Sequence, residues 1–174
     1  RAGHIRCRGG CGGMRRGGRS ATIDNMDDYD RVIQTLSGCK RVIVTTHVRP
    51  DGDALGSSAG LILGLRAKGI DAEALLLSHL PTKYSFIYRE NEIRHRDVEA
   101  GWPADFSLAG FDALIVVDTG TWSQLPGLQE RLKDFHKPKV IIDHHLTQQE
   151  WADVKLVDTA AGSCAEIIAT LLKR

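Results

Sequence analysis

The reading turns on Val42-Ile-Val-Thr-Thr-His47-Val-Arg-Pro-Asp51-Gly-Asp53-Ala-Leu-Gly-Ser-Ser-Ala-Gly-Leu61. Val42 to Thr46 is a β-branched run of the kind that is buried on both faces of a parallel sheet. His47, Asp51 and Asp53 follow within seven residues. Pro50 disfavours helix at Arg49 and Gly52 permits a tight backbone path, which places the three side chains on a turn. Beyond it, Leu55, Ala59, Ile62 and Leu63 keep to one face of a helix. Gly69 stands where a left-handed C-cap would end it. One imidazole and two carboxylates therefore crowd a strand-to-helix turn. An Asp before a helix is also an ordinary N-cap, so this stretch alone leaves ligation and capping both open.

The pattern repeats outward along the chain. Asp27 to Leu36 predicts a short helix with Tyr29, Val32, Ile33 and Leu36 on one face, and Ala72 to Leu77 a second strand. Ser78 to Gly110 predicts loops around a short helix near Tyr84 to Arg89. Ala113 to Val117 is an apolar strand ending at Asp118, and residues 122–136 are expected to be partly helical. Val140 to Ile142 ends in Asp143-His144-His145, and Val154 to Val157 ends at Asp158. Gly162 to Arg174 closes the chain as a helix with Ala165, Ile168, Ala169 and Leu172 together.

Strands alternating with helices imply an α/β fold. We expect a three-layer, doubly wound domain with a mostly parallel sheet of about five strands. Parallel strands put their carboxyl ends along one edge, where such sheets bind ligands, so the metal-type residues converge there. The weak point is the passage from His145 to Asp153, which is short for a crossover helix.

Composition sets the outer bounds. The 174 residues, 42% hydrophobic and 26% charged, fit one soluble globular domain with a real core. No apolar run approaches the roughly 18 residues of a membrane span, so no membrane partner is expected. The four cysteines lack framework spacing, which suits a reducing, cytoplasmic setting. Residues 1–23 carry six arginines and no acid, leaving 17 basic against 22 acidic groups in the rest. We read residues 1–25 as a disordered Gly/Arg-rich leader or a misassigned start ahead of Met26, and residues 26–174 as the domain. A nonspecific RNA-binding arm is the functional alternative for that segment. His4, Cys7 and Cys11 lack the second ligand pair that a structural zinc needs.

Charge then points to ions. Asp51, Asp53, Asp118 and Asp158 bring four negative charges to one edge, which is costly unless something positive offsets them. Two divalent cations do so. Mostly oxygen ligands, two imidazoles and no nearby thiolate suit Mn²⁺ or Mg²⁺ better than a structural zinc. Two such ions about 3.5–4 Å apart form the clamp used in phosphate-ester hydrolysis.

The quoted stretch, with Val117-Asp118-Thr119, Asp143-His144-His145 and Val157-Asp158-Thr-Ala-Ala-Gly-Ser-Cys-Ala-Glu166, resembles the four motifs of the DHH phosphoesterases. Within them it looks most like the oligoribonuclease and 3′-phosphoadenosine-5′-phosphate phosphatase (nanoRNase) type. The resemblance covers Met26 to Arg174. It implies His47 and Asp51 on one Mn²⁺, Asp53, His144 and Asp158 on the other, and Asp118 bridging. It further implies that His145 contacts the scissile phosphate while Asp143 supports the site. The substrate implied is a short oligonucleotide or a nucleotide, and a homodimer is an admissible assembly. Such proteins usually continue into a second, smaller domain with a Gly-rich substrate-binding motif, and we expect the sequence to stop at Arg174 without it.

Gly56-Ser57-Ser58-Ala59-Gly60 matches the Gly-x-Ser-x-Gly elbow of serine hydrolases, but it lies inside the helical repeat and not directly after a strand. Gly60-x3-Gly64 reads as close helix-on-sheet packing. Arg49 is a candidate substrate-phosphate contact or a local charge offset, and Glu166 a capping side chain or a support for the site. A binding module that lost catalysis, or a fragment inactive without a second domain, is the alternative function. No ligand is missing, which favours the enzyme.

Overall fold

The computed structural model describes residues 26–174 of the chain, so the leader, RNA-binding-arm and zinc readings of residues 1–25 lie outside the described residues. The β-branched run forms β1 (Arg41–Thr46), buried from Val42 to Thr46. It lies at the centre of the sheet between β2 (Asp71–Leu76) and β4 (Ala113–Val117). Beyond β2 lies β3 (His95–Asp97). Beyond β4 lie β5 (Lys139–Asp143) and β6 (Val154–Val157). The order is β3-β2-β1-β4-β5-β6 and every pairing is parallel. The sheet thus has six strands where the sequence predicts about five. The addition, β3, is a three-residue edge strand whose side chains are all exposed, so it has no apolar pattern to read.

α1 (Asp28–Leu36), α2 (Gly52–Ala67), α3 (Ser85–Glu90) and α5 (Cys164–Leu171) cover one face. Their Val32, Leu55, Ile62, Tyr88 and Ile167 pack on Val42, Val44, Ile115 and Ile142. The opposite face carries Ile43, Leu75, Leu114 and Ile141, and its cover is mostly irregular chain. Val98, Leu108, Phe111 and Phe135 pack there beside the short α4 (Leu128–Arg131). Only two short helical pieces, Trp122–Gln124 and α4, realise the expectation for residues 122–136.

The chain changes faces between its halves. α2 and α3 connect β1 to β2 and β2 to β3 on the first face, and α4 connects β4 to β5 on the second. The two halves meet at β1 and β4, so the crevice where ligands bind in open α/β sheets opens at the carboxyl ends of those strands. The β5-to-β6 passage has no helix, as its length requires. It runs as a loop with Trp151 and Ala152 packed on the second face.

Capping sets the helix limits. α2 begins at Gly52, ahead of the apolar repeat, because Asp51 Oδ1 accepts from the amides of Asp53 (2.9 Å) and Ala54 (3.0 Å). Gly69 adopts φ +81° just past the helix end. α5 begins at Cys164, two residues later than expected. Ser163 Oγ accepts from Glu166 N and Glu166 Oε2 accepts from Gly162 N, which settles Glu166 as a capping residue. Gly60 and Gly64 pack α2 against α5, not against the sheet: a Cβ at Gly64 would fall 2.2 Å from Leu172 Cδ2. Ser58, the serine of the elbow pattern, is buried and donates to Leu55 O while sharing a 2.8 Å hydrogen bond with Tyr88. It is not a nucleophile. No helix among the described residues is long and apolar enough to cross a membrane.

Candidate metal centre

The exits of β1, β4 and β5 deliver their side chains to the same cleft. His47 leaves β1, Asp51 and Asp53 open α2, Asp118 leaves β4, and His144 and His145 leave β5. All six line a cavity of about 720 Å³ together with Thr121, Gln124 and Leu146.

Asp118 sits at the centre. It is 3% exposed and takes φ +62°, a left-handed conformation that Asp tolerates better than most residues. Its amide is held by Ile142 O at 2.9 Å, which ties the turn after β4 to the end of β5. Oδ2 lies 3.6 Å from His47 Nε2, and Oδ1 lies 3.4 Å from His144 Nε2. His144 Nε2 is in turn 3.7 Å from Asp53 Oδ2. These gaps are too long for hydrogen bonds. They are near the edges of a coordination shell, because ligands about 2.1 Å from one ion stand roughly 3.0–3.4 Å apart. Asp118 Oδ1 is buried and accepts no hydrogen bond among the described residues. A buried carboxylate oxygen left that way is costly, and a cation removes the cost. The donor set therefore fits divalent ions. One ligand atom each from His47, Asp51 and Asp118 come within 4.8 Å of one another, and so do those of Asp118, His144 and His145.

The three histidines divide by orientation. His47 turns Nδ1 to Val48 O (2.8 Å) and His144 turns Nδ1 to Ala161 O (3.3 Å), which leaves Nε2 of both rings facing Asp118. A backbone carbonyl on one ring nitrogen is how ligating imidazoles are usually fixed. His145 is different. Its Nδ1 donates to Asp143 Oδ1 at 2.7 Å, and more than half of the side chain is exposed to the cleft. Asp143 beside it raises its pKa above the ordinary imidazole value, and the Asp118 carboxylate does the same for His47.

The other carboxylates have mixed duties. Asp51 spends one oxygen on its cap. Asp53 accepts from Cys164 N (2.8 Å) and Ala165 N (2.9 Å), so it fastens the first turn of α5 to α2 across 111 and 112 residues of sequence. The Cys164 thiol, pushed up to about 12 by burial, donates to Ile142 O. Asp143 is fully buried and fully satisfied, accepting from the amides of His144 and His145, the His145 ring and Gln148.

Two predicted residues stand aside. Asp158 ends β6, accepts from Ala160 N at 3.0 Å, and is not among the residues lining the cleft. Arg49 is exposed at φ +52°, its amide held by Ser78 Oγ at 2.7 Å. Its guanidinium has no hydrogen bond or ion pair among the described residues. Sequence reasoning missed Gln148, which reaches Asp143 from the β5-to-β6 loop. A glutamine in an unpatterned loop carries no signal of its own.

A parallel α/β sheet with a carboxylate-rich, histidine-lined cleft at its switch point defines the class: an open α/β domain whose cleft residues could hold metal ions where such sheets bind ligands. The family model of the DHH family, N-terminal domain, matches residues 41–174, and the chain belongs to that family. It is 31% identical over 144 residues to the bifunctional oligoribonuclease and PAP phosphatase NrnA of Bacillus subtilis, covering 80% of this chain and 40% of that one. The protein of the same name from Thermus thermophilus is 29% identical over 131 residues, covering 75% and 36%. The chain thus spans about two fifths of the length of these relatives. Among solved structures, an exopolyphosphatase-related protein from Bacteroides fragilis superposes with a TM-score of 0.72 at 19% identity, covering 84% of this chain and 43% of that one, and shares the fold.

Proposed function

We propose that this domain hydrolyses phosphodiester or phosphomonoester bonds of short RNA or nucleotides with two divalent ions, Mn²⁺ being the best fit. The observation that carries the reading is Asp118, a buried carboxylate with an unpartnered oxygen between His47 and His144. His47, Asp51 and Asp118 would hold one ion. Asp118, Asp53 and His144 would hold the other, and Asp158, outside the cleft in this structure, would join them as a further ligand only by moving in from the end of β6. Bound there, the ions supply Lewis-acid stabilisation of phosphoryl oxygens and a nucleophilic water at neutral pH.

The protein's own groups do the rest. Asp143 fixes the proton of His145 on Nδ1, so Nε2 faces the cleft, and the raised pKa favours the ring as a cation beside a phosphate anion. Arg49, exposed on the turn after β1 and without an ion pair among the described residues, would offer a second positive charge to a substrate phosphate. The relatives' names, oligoribonuclease and PAP phosphatase, support a substrate that combines phosphate ester and nucleoside. A cytoplasmic setting and a homodimer complete the proposal.

The test is a hydrolysis screen of the purified chain in Mn²⁺. It sets short ribo-oligonucleotides, a nucleoside 3′,5′-bisphosphate, a cyclic dinucleotide and polyphosphate beside an activated aryl phosphodiester. We expect Mn²⁺-dependent turnover of the aryl ester and of at least one nucleotide. Binding of ions and nucleotide without turnover of any of them would favour the binding-module alternative.

A further inference from the structure

The β5-to-β6 loop contains a side chain whose place is set by the absence of another. Gln148 Nε2 donates to Asp143 Oδ2 at 2.6 Å and to His145 O at 3.0 Å. Two acceptors on one nitrogen fix which way round the amide lies. Its Oε1 is consequently buried without a hydrogen-bond partner among the described residues. That oxygen faces Gly120, where a Cβ would fall 1.8 Å from Oε1 and 2.6 Å from Cδ. Gly120 is two residues past Asp118. It also pins the same loop through its backbone, since Gly120 O accepts from Gln149 N and from Trp151 Nε1, each at 3.2 Å.

We propose that Gln148, seated in the space left by Gly120, is a positioning residue that acts on His145 through Asp143. Asp143 Oδ1 holds the His145 ring and Oδ2 is held by Gln148, so the amide fixes the plane of the carboxylate and, through it, the direction of His145 Nε2. Oδ1 is also bonded by the amides of His144 and His145, so it is Oδ2 that depends on Gln148. Without that amide a fully buried carboxylate oxygen would stand unpaired among the described residues, and the carboxylate would be drawn off its present seat. Outer partners of this kind typically change activity by 10–100-fold when removed.

This inference rests on the reading of His145 as a phosphate contact, so the experiment carries an arm that does not. Gln148→Met keeps the length and removes the amide. Gly120→Ala keeps Gln148 and drives its amide out of place. Gln149→Met, in the same loop, loses a 2.7 Å bond to Trp122 N without touching Asp143 and serves as the control for loop stability. In Mn²⁺-saturated enzyme, Gln148→Met and Gly120→Ala should each lower kcat by roughly 10–100-fold, with KM and Mn²⁺ affinity within about threefold of wild type. The double variant should be no worse than the poorer single one, because both changes break one contact.

In the ion-free protein, at a pH high enough for the ring to be neutral, ¹⁵N-resolved imidazole spectra should show His145 protonated at Nδ1. In both single variants they should show mixed tautomers. The proposal is overturned if Gln148→Met keeps the wild-type His145 spectrum, or if Gln149→Met reproduces the same losses. Should His145→Ala leave hydrolysis intact, the phosphate-contact reading fails. The spectra still decide whether Gln148 orients the ring.

Discussion

Asp118→Asn is expected to abolish hydrolysis and leave the fold untouched. The fold survives because Asn fills the same volume and is, with Asp, among the residues that best accept the left-handed backbone at φ +62°. Activity does not survive. Asp118 is the one carboxylate placed between both ligand groups, with Oδ2 toward His47 and Oδ1 toward His144. An amide brings no charge and one weak acceptor in place of two charged oxygens. Partners one layer out from a metal already cost 10–100-fold when removed, so loss of the central ligand should cost at least about a hundredfold. The measurement is turnover in excess Mn²⁺ beside circular dichroism of the same samples. Retention of a tenth of wild-type activity by properly folded protein would mean that Asp118 does not bridge.

The second large effect is on stability. An ion that binds only the folded chain stabilises it by about 2.7 kcal/mol at a hundredfold excess over its dissociation constant. For a domain of this size each kcal/mol moves the midpoint by roughly 2–4 °C, so thermal melts in Mn²⁺ and in chelator should separate by roughly 5–10 °C. Asp118→Asn should collapse that separation. In chelator it should melt no lower than wild type, since the substitution relieves a buried charge. Superimposable wild-type curves with and without Mn²⁺ would remove the ion site altogether.

How much of this could be read from the residues depended on where the stabilising contacts lie. β1 and β4 were legible because strands buried on both faces must be apolar throughout, and their exits were legible because ligand chemistry is local. β3 was not. His95, Arg96 and Asp97 are exposed, and the strand exists because the edge of β2 offers it backbone partners. The irregular second layer was hidden for a similar reason: Phe111, Leu125 and Phe135 fill their places singly, without a period. In the site, six of the predicted residues line one cleft. Sequence could not reveal that Asp53 also fastens the first turn of α5, nor that Asp143 is held from Gln148. Those contacts depend on three-dimensional packing that no spacing encodes.

The bond from Cys164 N to Asp53 has a consequence for the order of events during synthesis. Of the cleft residues, a nascent chain that has emerged as far as Asp53 holds His47, Asp51 and Asp53. The groups that complete their surroundings, Asp118, His144 and the amide of Cys164, lie 65, 91 and 111 residues beyond Asp53, and loop closure over such distances is paid late in folding. The half-made turn has no cage for an ion, so the cation is a passenger on the finished fold and not its nucleus. Refolding rates should therefore be nearly indifferent to Mn²⁺, while unfolding slows in its presence. A refolding limb that accelerates with Mn²⁺ in stopped-flow traces would reverse that order.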